Sequence, residues 1–76
     1  DTEDIEQLMH IISQLPDGYK QVFCLYEIEG YSHKEIAEQL QIKEATSRSQ
    51  LNKSKQLLRS WVIKMEQPVF FNIQSE

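Results

Sequence analysis

The stretch Ser32-His33-Lys34-Glu35-Ile36-Ala37-Glu38-Gln39-Leu40-Gln41-Ile42-Lys43-Glu44-Ala45-Thr46-Ser47-Arg48-Ser49-Gln50-Leu51, residues 32–51, decides how this chain folds. Ser32 and Glu35 have the spacing of a capping box, in which the serine oxygen accepts from the third amide and the glutamate reaches back to the first. A helix therefore starts at Ser32, with Ile36, Ala37 and Leu40 on its inner face, and lasts about two turns. Gln41-Ile42-Lys43 is long enough only for a tight turn. A second, longer helix follows from about Glu44 to Met65, with Leu51, Leu58, Trp61, Val62 and Met65 on one stripe and Pro68 as its stop. A short helix, a three-residue turn and a longer helix make a helix-turn-helix. Ile36, Ala37, Leu40, Ile42 and Leu51 are its expected hinge core, with Ala37 small enough for two steeply crossed helices to meet.

Upstream, the apolar pattern is also helical. Ile5, Leu8, Met9 and Ile12 fall at i, i+3, i+4 and i+7. Pro16 ends that helix by pushing its predecessor out of the α region, and Pro16-Asp17 suit the start of another. Tyr19, Val22, Phe23 and Tyr26 repeat the spacing there, and Gly30 supplies the left-handed stop. The fold class is all-α: a four-helix domain with a C-terminal helix-turn-helix, like a winged-helix DNA-binding fold without the wing. Residues 1–67 form this domain, with the helix-turn-helix at about 32–58; residues 68–76 are an apolar tail in which Val69, Phe70, Phe71 and Ile73 are expected to fold back on the bundle. The first residue is Asp1 and the pattern is already under way there, as in a fragment of a longer protein.

Composition narrows the functions. Seventy-six residues make one small domain, and the longest apolar run, Val22 to Tyr26, is far too short to span a bilayer. Cys24 is the only cysteine, so an internal disulfide is excluded; it lies within that apolar run and reads as a buried, inert thiol. His10 and His33 have no partners at metal-ligand spacing and read as surface or helix-flank residues. Nothing resembles a nucleophile–base pair, a carboxylate pair or a glycine-rich phosphate loop. Catalysis, cofactors and metals are not expected.

Charge is more informative than its net value of -4. Residues 1–30 hold seven acids and one base, whereas residues 43–64 hold Lys43, Arg48, Lys53, Lys55, Arg59 and Lys64 against Glu44 alone. An idle surface helix mixes signs to gain i,i+4 pairs. This one presents Arg48, Ser49, Asn52, Lys53, Lys55, Gln56 and Arg59 outside its apolar stripe, the side-chain types that read base edges and phosphates. The acidic first half points to a second, basic partner. Two other readings remain open on the residues alone: the output domain of a response regulator, and a protein-interaction module derived from a helix-turn-helix. The unopposed basic block argues against the latter.

Leu15 to Trp61, about two thirds of the chain, resembles region 4 of bacterial sigma factors of the sigma-70 family, most of all the extracytoplasmic-function group. The likeness rests on Leu15-Pro16, Glu29-Gly30-Tyr31-Ser32, Glu35-Ile36-Ala37, Leu40, and Thr46 followed by Arg48-Ser49 and Leu51. It implies a cytoplasmic, nucleoid-associated protein that reads the −35 promoter element as part of RNA polymerase holoenzyme, docks on the β-subunit flap of the core enzyme, and is masked by an anti-sigma factor. Carried over by position, Arg48, Ser49, Asn52 and Lys53 read or adjoin bases. Ser32, His33, Lys34, Lys43, Thr46, Gln50, Lys55 and Arg59 approach phosphates, which set register and affinity while base contacts set sequence. The sequence departs from the family pattern at Gln41, where glycine is frequent, at Ser47 and Ser54, where Val and Ala are, and at Lys43, a weak cap. These departures are expected to strain the turn, thin the core and leave the isolated domain marginally stable.

Overall fold

The computed structural model describes residues 2–65, with the side chains of residues 3–62. Four α-helices follow one another: α1 (Thr2–Ser13), α2 (Asp17–Phe23), α3 (His33–Leu40) and α4 (Glu44–Met65). Between α2 and α3 the chain continues through a π-helical segment, Cys24–Ile28. No strand occurs among the described residues. The all-α helix-turn-helix architecture follows, with α3 and α4 as its two arms and Gln41–Lys43 as the turn. Val69–Ile73 lie outside the described residues.

The helix ends use the chemistry read from the sequence. Pro16 sits extended (φ −55°, ψ 150°) immediately before α2, and its carbonyl accepts from the Lys20 amide at 2.8 Å. At α3, Ser32 Oγ accepts from the Glu35 amide at 3.1 Å while the Ser32 amide donates to Glu35 Oε1 at 2.9 Å. Gly30, at φ +83°, turns the chain from the π segment into α3, and the Tyr31 amide reaches back to the Leu25 carbonyl at 2.9 Å.

Gln41 takes the left-handed conformation (φ 58°, ψ 49°), so the expected strain in the turn is present. The amides of Gln41 and Ile42 both donate to the Ala37 carbonyl, closing α3 and folding Ile42 back against the core. The bonds fit; only the Cβ of residue 41 is out of place. Gln41→Gly is accordingly expected to stabilise the domain by about 1 kcal/mol, since a left-handed side-chain-bearing residue costs roughly that much. Urea unfolding followed by circular dichroism measures it, and no gain would show that the Gln41 side chain compensates the strain.

The core is built from Ile11, Ile12, Leu15, Val22, Phe23, Ile36, Leu51, Leu58 and Val62, with Ala37 also buried. Leu8, Tyr19, Cys24, Leu25, Leu40, Ile42, Leu57 and Trp61 pack around it. Two expectations change here. On α1, Ile5 and Met9 are 59% and 45% exposed, and the inward stripe runs through Leu8, Ile11, Ile12 and Leu15 instead. Both stripes have helical spacing, but only the second continues into Leu15, which the turn before Pro16 carries under α2. Tyr26 likewise faces outward rather than extending the Val22–Phe23 stripe. The π segment explains that: the Glu29 amide bonds to the Cys24 carbonyl, five residues back, so the segment winds more slowly than an α-helix and the spacing loses phase.

Ser47 and Ser54 are fully buried on the inner face of α4. Each hydroxyl has a partner: Ser47 Oγ bonds His33 Nδ1 at 2.8 Å, and Ser54 Oγ donates to the Leu51 carbonyl at 2.7 Å. The hydroxyls thin the apolar core as expected, but neither is left unsatisfied, which removes most of the cost of burying them.

Candidate nucleic-acid interface

Along α4 the residues at i, i+4, i+7 and i+11 from Ser47 point inward: Ser47, Leu51, Ser54 and Leu58. The opposite side of the helix is therefore set by default. Arg48, Ser49, Asn52 and Lys53 are all exposed, and one helical half-surface carries them together. Two shallow clefts flank that row. Tyr19, Ala45, Thr46, Ser49, Gln50 and Lys53 line one of about 370 Å³, against α2. Tyr26, His33, Arg48, Leu51, Asn52 and Lys55 line the other, of about 310 Å³, against the π segment and the start of α3.

The residues read as phosphate contacts divide into two groups. Lys34 and Lys43 are exposed at the start of α3 and just before α4, and Thr46 is half-buried at the rim of the first cleft. Ser32 uses its oxygen as the α3 cap, which leaves the hydroxyl proton for an outside acceptor. Arg59 is exposed one turn beyond Lys55.

Gln50, His33 and Lys55 are engaged internally. Gln50 bends toward the start of α2, where its Oε1 lies 2.9 Å from the position a Cβ on residue 18 would take; Gly18 makes room for it. That oxygen is buried without a hydrogen-bond partner among the described residues. Lys55 Nζ forms an ion pair with Glu27 Oε2 at 3.0 Å, which places Lys55 in the cleft wall rather than on the open face of α4. Glu27 and Tyr26 have no signal in the sequence that ties them to this site; their place is set by the π segment packing across α4. Arg48 is paired too, with Glu44 at 3.2 Å, so the basic helix does contain one i,i+4 pair, although both members remain largely in solvent.

His33 joins the two arms. Its ring stacks on Tyr26 with centroids 4.4 Å apart and planes 16° from parallel, and its Nδ1 meets Ser47 Oγ. The hydroxyl donates when Nδ1 is bare and accepts when Nδ1 carries a proton. Burial holds the imidazole below its ordinary range, and the cations Arg48 and Lys55 act in the same direction, while Glu44 opposes them. A lowered native value means that the unfolded chain binds the proton more readily. The contribution of His33 is thus complete above about pH 6.5, the unfolded value, and is lost as pH falls from there through the lower native value. Thermal melts across that window should show a fall in Tm toward acid that His33→Gln reduces; equal slopes in both proteins would place the loss elsewhere. Cys24, expected to be buried, is half-buried at the edge of the core, and burial raises its pKa, with Lys20 opposing and Glu29 reinforcing.

Among the described residues no group of His, Cys, Asp and Glu is arranged to hold a metal ion, and no helix is long and apolar enough to cross a membrane. A short capped helix, a three-residue turn and a long helix with cationic and amide side chains facing out define the helix-turn-helix class of domain. Residues 5–58 match the family described as Sigma-70, region 4, and the chain belongs to that family of DNA-binding, non-catalytic sigma-factor domains. The match takes in most of α1 as well as the helix-turn-helix, so α1 is part of the family's domain and not an appendage. Neither a curated protein nor a solved structure matched the chain.

Proposed function

We propose that this chain is the part of an extracytoplasmic-function sigma factor that reads the −35 promoter element within RNA polymerase holoenzyme, with α4 in the major groove. The observation that carries the reading is the outward row Arg48, Ser49, Asn52 and Lys53 on the second arm of the helix-turn-helix. Arg48 suits guanine O6 and N7, Asn52 suits adenine N6 and N7, and Ser49 accepts or donates at either. Lys53 suits a guanine edge or a phosphate. In this reading Ser32, Lys34, Lys43 and Thr46 supply phosphate contacts that fix register. The β-subunit flap of the polymerase core and an anti-sigma factor are the protein partners in this reading, the compartment is the cytoplasm, and no reaction is catalysed.

The test is fluorescence anisotropy of labelled promoter duplexes titrated with salt. Binding is expected to be weak and to weaken linearly on a log–log plot, by about 0.9 in slope for each phosphate contacted. Asn52→Ala should reduce discrimination between duplexes by about 1–3 kcal/mol and leave the salt slope in place. A wild-type chain silent both alone and in reconstituted holoenzyme would overturn the proposal.

A further inference from the structure

We propose that Glu27 acts as an internal stand-in for a DNA phosphate, holding Lys55 in an ion pair that lowers the affinity of this domain for nucleic acid; the inference rests on the DNA-binding reading above.

Three features of the pair support it. At 3.0 Å, Nζ and Oε2 form a close ion pair, the kind of contact an ammonium also makes to a phosphate oxygen. The Lys55 side chain is only 15% exposed and that of Glu27 34%, so solvent screens the pair less than an ordinary surface pair. And the two residues come from different elements, Glu27 from the π segment and Lys55 from α4, so their approach is held by the packing of the fold rather than by neighbouring positions on one helix.

The Arg48–Glu44 pair is the contrast. It lies within one helix, at 3.2 Å, with side chains 58% and 44% exposed. Such pairs contribute little and exchange readily for another anion. Arg48 is therefore free to leave Glu44 for DNA. Lys55 is not equally free. A phosphate that displaced Glu27 would leave a part-buried carboxylate without its cation and beside a second negative charge, a cost that falls on binding. Arg48 and Lys55, the cations of the two pairs, both line the cleft with Tyr26, His33, Leu51 and Asn52, so Glu27 holds a cation that belongs to that cleft.

The experiment measures anisotropy of a labelled random-sequence duplex at several salt concentrations with the wild-type chain, Glu27→Gln, Lys55→Gln and the double variant. Glu27→Gln is expected to tighten binding by roughly threefold to tenfold and to steepen the salt slope by about 0.9, one additional phosphate contact. Lys55→Gln should cost affinity severalfold in the Glu27→Gln background and much less beside Glu27. Glu27→Ala serves as a second carboxylate-free variant, with circular dichroism checking that each chain is folded. A wild-type chain that binds while neither carboxylate-free variant binds more tightly overturns this inference alone. So does a gain that survives intact in the double variant, which would make it a general effect of removing charge. Binding by neither wild type nor the carboxylate-free variants overturns both this inference and the DNA-binding reading, whereas binding that appears only on removing Glu27 supports both.

Discussion

Ile36→Ala should leave most of this chain unfolded, whereas Ile5→Ala should be nearly silent. Ile36 is fully buried where α3 crosses α4, and it is among the largest of the fully buried side chains. Truncating such a residue costs about 2–5 kcal/mol through lost transfer energy and the cavity left behind. A single apolar core of this size supplies only about 3–5 kcal/mol in total. The two figures nearly cancel, so one substitution is enough to shift the population. Ile5 has the same side chain but is mostly in water, and a change there should stay within about 0.5 kcal/mol. Far-UV circular dichroism of the two variants during urea titration makes the comparison. Equal losses from both would mean that α1 packs through the Ile5–Met9 face after all.

The second large effect concerns DNA. The double variant Arg48→Ala/Lys53→Ala is expected to lose binding to promoter duplex by at least about thirtyfold, since each contact of this kind is worth about 1–3 kcal/mol. The salt slope should also become shallower, because fewer counterions are released. Both side chains face solvent, so the helical signal should be unchanged and the loss cannot be assigned to unfolding. Retention of wild-type affinity and slope would move the reading face off this part of α4. Loss of affinity with an unchanged slope would assign both residues to bases alone.

How much of this could be read from the sequence depended on how local the cause was. The Ser32–Glu35 box, the Pro16 start and the Gly30 stop each act within a few residues, and each stands where expected. The outward row on α4 was legible for the same reason: one helix carries both the inward stripe and the cations, and its period relates them. The α1 stripe was not legible, because Ile5-Leu8-Met9-Ile12 and Leu8-Ile11-Ile12-Leu15 have equal periodicity and only tertiary packing chooses between them. Tyr26 leaves the stripe that an α-helical period predicts because Cys24–Ile28 wind as a π turn. The Glu27–Lys55 pair, the His33–Ser47 bond and the Gln50 side chain over Gly18 join residues far apart in the chain, and no spacing rule reaches them. Ser47 illustrates the difference well. Its family position marks it as a weak point of the core, while its partner, His33, is set by the tertiary fold alone.

The length of α4 has a mechanical consequence. Twenty-two residues at about 1.5 Å each make a rod of roughly 33 Å without interruption. Its first half carries the outward row, and its second half, through Leu58 and Val62, is seated in the core with Ile11 and Ile12 of α1. A close-packed seat of this kind does not yield gradually. Ser47, Leu51 and Ser54 seat the first half as well, so the row stands on a rod gripped along its length and is presented to a groove as one rigid edge.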